Sequence, residues 1–161
     1  MTTELNIMLD GLKRKEKALE EIYSITENQQ TVIKSGVPFS EARQLVFEMN
    51  KGKQEAIQVV KDCDNMFEAM LKRIGKELDE TQHLYAAQVR VMQTHIRRIM
   101  DTDVKIRTTE EENNKLLDKR RDEEFIDNSI KNNSLKPKVH MPTNSAQVIE
   151  AYKQGHKNFK G

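Results

Sequence analysis

The sequence predicts an all-α protein: an elongated antiparallel helical bundle or coiled coil of about three long helices, followed by a mostly disordered C-terminal tail. Charged residues make up 33% of the 161 residues and aromatic residues 5%, with 6 glycines, 3 prolines and no tryptophan. Strands favour β-branched and aromatic residues, and their turns favour glycine and proline, so this composition favours long solvated helices. The length suits one domain, expected at residues 1–130, with a flexible basic tail at 131–161.

A first helix is predicted at about residues 3–34. Its apolar residues recur every three, four or seven positions, which places them on one helical stripe. The stripe consists of Leu5, Leu9, Leu12, Leu19, Ile22, Ile25 and Ile33. The Ser-Gly-Val-Pro segment at 35–38 is expected to end the helix, because glycine adopts the left-handed conformation of a helix cap and proline cannot continue a helix.

A second helix is predicted from Ser40, whose side chain can cap a helix N-terminus. Its apolar stripe consists of Ala42, Leu45, Met49, Ala56, Val60 and Cys63. Around residues 62–66 the pattern becomes polar, and Asn65 with Glu68 has the spacing of a capping pair. We therefore predict a helix break near Asp64, with one continuous helix from residue 40 onward as the alternative.

A long third helix is predicted at about residues 66–126, since neither glycine nor proline occurs between Gly75 and Pro137. Apolar residues from Phe67 to Ile106 advance by threes, fours and sevens, a mean near 3.5 that is typical of a coiled-coil seam. Residues 131–161 then hold six lysines and one glutamate. We expect a solvated, disordered terminus there, with docking on a partner or on the protein's own groove as the alternative.

The sequence carries no motif that indicates an enzyme or a metal site. It has no glycine-rich phosphate loop, HExxH pair, GxSxG elbow or CxxC pair. The single cysteine, Cys63, falls among apolar helical positions and is expected to be a buried small hydrophobe. The four histidines are too far apart in sequence for a local metal pair. We therefore expect no catalytic residue, no cofactor and no metal.

Charge and hydropathy argue against nucleic acid and membrane partners. The net charge is +1, which gives no overall field to recruit nucleic acid or an acidic membrane surface. The longest apolar run is four residues, Leu84 to Ala87, whereas a membrane helix needs about 20. The opening residues also lack the basic and apolar regions of a secretory signal. A cytoplasmic protein is expected.

The predicted helix lengths leave apolar surface without a partner inside the chain. The first two helices would cover roughly the first half of a helix at 66–126, so its second half, from about Ile96, is expected to project beyond the bundle. Apolar surface of this kind is expected to be covered by another chain. The predicted partner-binding residues are Ile96, Ile99, Met100, Val104, Ile106, Leu116 and Leu117. The alternative is that the chain bends or folds back and buries them as ordinary core.

Short segments over nearly the whole chain carry a family resemblance. They are Leu12-x5-Ala18-Leu19-x2-Ile22, Phe47-x3-Lys51, the run from Cys63 to Met70, Gln93-x2-Ile96-x2-Ile99 and Glu112-Asn113-Asn114-Lys115. In these segments the chain resembles flagellar export chaperones of the FlgN/FliT type, particularly the clostridial branch. One departure is Met66, which stands where the family tends to have glycine.

The resemblance implies a cytosolic, ATP-independent chaperone of type III flagellar export. Such a chaperone binds the C-terminal amphipathic helix of hook-associated or filament-cap substrates, prevents their premature assembly and delivers them to the secretion apparatus. The implied partners are these substrates and components of the export apparatus. A monomer or weak homodimer is expected, and a homodimeric coiled-coil scaffold, in which the projecting halves pair, is the alternative function.

Overall fold

A computed structural model describes residues 1–130 of the chain. Three long helices account for nearly all of these residues: α1 at Thr2–Ile33, α2 at Phe39–Glu80 and α3 at Ala86–Ile130. A 3₁₀ turn at Gln82–Leu84 joins α2 to α3, and the described part of the chain contains no strand. The predicted all-α bundle of three long helices is confirmed, and the predicted tail at 131–161 lies outside the described residues.

The turn between α1 and α2 follows the sequence prediction. Gly36 has a φ of 83°, in the left-handed region that glycine adopts without strain. The hydroxyl of Ser35 donates a hydrogen bond to the Val32 carbonyl at 2.6 Å, and the Val37 amide donates to the same hydroxyl at 3.4 Å. Ser35 is fully buried, so these bonds satisfy polar groups that water cannot reach.

The predicted helix break near Asp64 is wrong, because α2 continues without interruption to Glu80. Cys63 is buried at 3% exposure, as predicted, whereas its neighbours Asp62 and Asp64 are exposed on the other side of the helix. Polar residues on the solvent face need no helix end, so the run at 62–66 fits inside one helix. The alternative of a continuous helix from residue 40 holds as far as Glu80.

The predicted helix at 66–126 is wrong in its start, since α3 begins at Ala86. Helix α2 ends at Glu80, and the next residue, Thr81, donates its hydroxyl to the Glu77 carbonyl at 2.7 Å while its amide is shared between the carbonyls of Glu77 and Leu78. Threonine side chains that bond to the preceding turn compete with regular helix geometry. This interruption contains neither glycine nor proline, so the signals that mark most helix ends are missing there.

The chain clusters into two compact units, and each unit contains a part of all three helices. Within the described residues, unit 1 comprises Met1–Tyr23 and Lys53–Lys105, and unit 2 comprises Ser24–Gly52 and residues 106–130. That residues 1–130 form a single domain stays a prediction. No helix within residues 1–130 is both long enough and apolar enough to cross a membrane.

In unit 1, α1 and α2 run antiparallel. The Lys15 ammonium lies 2.6 Å from Asp64 Oδ1, and a Cβ atom on Gly11 would overlap the terminal methyl group of Met66. From α3, His95 Nδ1 contacts Glu16 Oε2 of α1 at 2.5 Å. The apolar core between the helices consists of Leu5, Met8, Leu12, Ala18, Leu19, Ile22, Ala56, Cys63, Ile74, Met92 and Ile99.

In unit 2, buried or partly buried polar bonds join the helices around an apolar core. The buried apolar residues are Val32, Ile33, Val37, Ala42, Leu45, Met49 and Ile106. The Gln29 amide of α1 donates to the Val46 carbonyl at 3.1 Å and to Asn50 Oδ1 at 2.7 Å, both on α2. The Asn113 amide of α3 donates to the Thr26 carbonyl of α1 at 3.0 Å. These bonds fix which faces of the helices meet.

The expected projection of the second half of the third helix is not observed. In unit 2, Ile106 is buried, Asn113 bonds to Thr26, and the Arg120 guanidinium bonds to the Ile33 carbonyl at 2.8 Å and to the Val37 carbonyl. The expected projection is not observed because the residues predicted to begin the third helix, from about 66, belong to α2 instead. With α3 beginning at Ala86, its stretch from residue 106 to 120 lies against α1.

Candidate helix-binding groove

Unit 2 has an open groove between the first turns of α2 and the last turns of α3. It has a volume of about 630 Å³. Three phenylalanines form its apolar part, Phe39 and Phe47 from α2 and Phe125 from α3. We call this surface the phenylalanine groove. Arg43, Arg121 and Glu124 are its charged residues, and Ser40, Gln44 and Asn128 complete the lining.

Two of the phenylalanines are largely in solvent. Phe47 is 61% exposed and Phe125 is 73% exposed. An aromatic side chain of this size offers a large apolar area to a partner, and contiguous apolar patches rimmed by polar residues mark interaction sites. The groove therefore has the chemistry of a protein-binding surface.

The local sequence explains why these side chains face outward. The buried face of α2 in unit 2 carries Ala42, Leu45 and Met49, so Phe47, two residues after Leu45, falls on another side of the helix. On α3 the anchor is Arg120, whose guanidinium bonds to two carbonyls of the α1–α2 turn. The groove residues of α3 begin at the next position, so the Arg120 bonds fix the start of this wall.

Of the three charged residues in the groove, only Arg121 lies within ion-pair distance of another described side chain. Arg121 lies 3.5 Å from Asp118 Oδ1 and 3.7 Å from Asp122 Oδ1. Arg43 is exposed and Glu124 is half-buried, and neither has an ion-pair or hydrogen-bond partner within residues 1–130. Within the described part of the chain, one cation on the α2 wall and one carboxylate on the α3 wall thus have no partner.

Unit 1 contains a smaller hollow of about 250 Å³, in which three of the predicted partner-binding residues meet: Ile96, Ile99 and Met100. Phe67 and Leu12 add apolar lining, and the Lys15–Asp64 ion pair lies at its edge. Met100 is 61% exposed, whereas Ile99 is only 6% exposed. We call this surface the Met100 hollow.

The predicted partner-binding residues do not form one exposed surface. Ile99 and Ile106 are buried, so the expectation that they are free for a partner is wrong. Val104 is 56% exposed but lines neither the groove nor the hollow. Leu116 and Leu117 are half-buried and also lie outside both surfaces. Burial by the protein's own core, the alternative at the sequence level, holds for the two isoleucines.

The apolar stripe of the sequence does not predict the α2 wall of the groove. A signal existed, since Phe47 is a large apolar residue that interrupts the spacing of the buried stripe around it. Phe125 also lies near the end of a helix that is otherwise highly charged. Large aromatic residues off the stripe are therefore the observation that points to this site.

Comparison with known protein families, with curated proteins and with solved structures finds no match. Within residues 1–130, no group of three or more histidine, cysteine, aspartate or glutamate side chains is placed to hold a metal ion. The exposed apolar groove is thus the feature on which a functional proposal can be built.

Proposed function

We propose that this protein is a cytoplasmic flagellar export chaperone that binds an amphipathic helix of its client in the phenylalanine groove. The clients would be hook-associated or filament-cap proteins, held by their C-terminal helices until delivery to the export apparatus. The role requires no catalysis, cofactor, nucleic acid or membrane insertion. It differs from the sequence-based expectation in the binding surface, which moves from the second half of a projecting helix to the groove of unit 2.

The observation that carries the proposal is the exposure of Phe47 and Phe125 on the two walls of one open groove. Recognition of an amphipathic helix uses an apolar groove into which anchors spaced by three or four residues insert. From Phe39 to Phe47 the α2 wall extends about 12 Å at 1.5 Å per residue, or roughly two helical turns. Such a groove can hold two or three anchor side chains of a client helix.

The word flagellar rests on the family resemblance of the sequence. Phe47 belongs to one of the resembling segments, Phe47-x3-Lys51, and lies in the proposed binding surface. The resemblance supports the proposal through sequence and the groove supports it through exposed apolar area, and Phe47 is common to both.

Fluorescence anisotropy with a labelled peptide of the C-terminal helix of a hook-associated protein tests the proposal. The full-length protein is expected to bind the peptide, and Phe47→Ala and Phe125→Ala are each expected to weaken binding by about tenfold or more, since buried aromatic anchors dominate interface energies. Both side chains are exposed, so neither substitution removes core packing.

Leu84→Ala is the matched control, because Leu84 is 64% exposed and does not line the groove. It is expected to leave peptide affinity unchanged. Binding that is lost on Met100→Ala and kept in both phenylalanine variants would assign the site to the Met100 hollow instead. Absence of binding to hook-associated and filament-cap peptides alike would refute the flagellar proposal.

A further inference from the structure

We propose that, without a client, two copies of this protein associate through their phenylalanine grooves, with Arg43 of each copy against Glu124 of the other. This inference shares its surface with the proposed function and adds a regulation to it, because self-association and client binding would compete for the same phenylalanines. The carrying observation is that the groove holds a cation on the α2 wall and a carboxylate on the α3 wall, neither of which has a partner among residues 1–130.

The positions of these charges determine which symmetric arrangement is favourable. Arg43 lies midway between Phe39 and Phe47 on α2, and Glu124 lies midway along the lining residues of α3, from Arg121 to Asn128. Each charge is thus near the middle of its own wall in sequence, which is the position that lets the two meet across a two-fold axis. A two-fold axis parallel to the groove places α2 of one copy against α3 of the other, so that each Arg43 meets a Glu124.

The other face-to-face arrangement, with the axis across the groove, places α2 against α2 and α3 against α3. Like charges would then meet, which is unfavourable at an interface. In the favoured arrangement the same surface of each copy forms the interface, so that Arg43 of either copy meets Glu124 of the other, as two-fold symmetry requires. The charges thus favour the dimer in which α2 of one copy faces α3 of the other.

The apolar content of the groove supports a second copy as the occupant. Phe47 and Phe125 of each copy would be covered by the same residues of the other, which removes four largely exposed aromatic rings from water. A patch of two helical turns on each side is small for an interface, so the association should be weak and reversible. A weak dimer suits a surface that must open for a client.

Sedimentation velocity of the full-length protein over micromolar to submillimolar concentrations tests the inference. The wild type is expected to shift reversibly toward a dimer as concentration rises. Arg43→Glu and Glu124→Arg are each expected to weaken the dimer by about tenfold at low salt, because two attractive contacts per dimer become repulsive. An equimolar mixture of the two variants is expected to restore association, since opposite charges again face each other at both contacts of the mixed dimer.

Two charge reversals outside the groove serve as controls: Lys61→Glu on α2 and Asp127→Arg on α3, both at exposed positions. They are expected to leave the dimer unchanged. A protein that stays monomeric at every concentration overturns the inference; this is the result expected if its own tail fills the groove or if nothing does. A dimer whose stability is unchanged by both groove charge reversals overturns it as well. Peptide binding that persists in a strictly monomeric protein leaves the proposed function standing, so the two failures are distinguishable.

Discussion

At the scale of single residues, Arg120 connects all three helices of unit 2 at the α1–α2 turn. Its guanidinium reaches from α3 to the Ile33 carbonyl at the end of α1 and to the Val37 carbonyl just before α2. The planar fork of an arginine can serve two acceptors at once, which a lysine ammonium on a flexible stem does less well. One side chain therefore holds the α1–α2 turn against α3 and positions the adjacent groove wall.

Arg120→Ala is expected to lower the free energy of unfolding by about 1–3 kcal/mol, because two partly buried carbonyls lose a charged donor. Arg120→Lys should lose about half as much, since one of the two bonds can re-form. Urea denaturation followed by circular dichroism measures both changes. Arg121→Ala, which removes only exposed ion pairs, is the control and should change stability by less than about 0.5 kcal/mol. Equal effects at positions 120 and 121 would show that the bonds to the turn contribute nothing.

At the scale of the helices, α2 is continuous through residues 62–66 because its buried positions keep their helical spacing there. Cys63 and Ile74 keep the stripe of α2 in the core of unit 1, and the acidic residues between them remain outside it. The backbone conformation of a glycine also depends on where the residue lies in the fold. Gly36 adopts a positive φ in the α1–α2 turn, whereas Gly52 lies within α2 without a positive φ and close to the side chain of Ile25.

Gly52→Ala is expected to raise the free energy of unfolding by about 0.5–1 kcal/mol, since alanine reduces the conformational entropy of the unfolded chain and favours the helix. A Cβ atom at this position would lie 3.5 Å from Ile25 Cδ1, an ordinary contact distance. Gly36→Ala should have the opposite sign, with a loss of about 1 kcal/mol or more, because its φ of 83° strains an L-residue. Thermal unfolding of the two variants checks the opposite signs; stabilisation by both substitutions would contradict the helix cap described for Gly36.

At the scale of the whole molecule, charge is abundant and nearly balanced. Lysine and arginine number 27, aspartate and glutamate number 26, and the isoelectric point of the sequence is about 7.8. Near-zero net charge removes the long-range repulsion that keeps copies of a protein apart. Two copies of the protein can then associate through apolar surface such as the phenylalanine groove with little electrostatic repulsion between them.

Non-specific attraction between molecules is accordingly expected to be strongest near pH 7.8 and to weaken at more acidic and more alkaline pH. The second virial coefficient from static light scattering measures this attraction, with its minimum expected close to the isoelectric point. Added salt should flatten the pH dependence, because screening reduces the repulsion on either side of the minimum. A coefficient that does not vary with pH would contradict a dominant role for net charge.

Part of the fold and little of the site could be predicted from the sequence. The end of α1 followed from glycine and proline, whose backbone preferences are local. The end of α2 at Glu80 did not, since neither glycine nor proline occurs there and the apolar spacing from Phe67 to Ile106 runs across it. The error then placed Ile99 and Ile106 on a projecting helix, although both are core residues.

The sequence by itself determined that the chain forms long amphipathic helices, where the first of them ends, and that Cys63 faces inward. Each of these depends on the composition or periodicity of neighbouring residues. Tertiary structure alone decided that Asn113 and Arg120 pack against α1, and that Phe47 and Phe125 share one groove. The physical reason is that a helical stripe specifies which residues can be buried together, whereas the choice of covering partner depends on contacts between positions far apart in the chain.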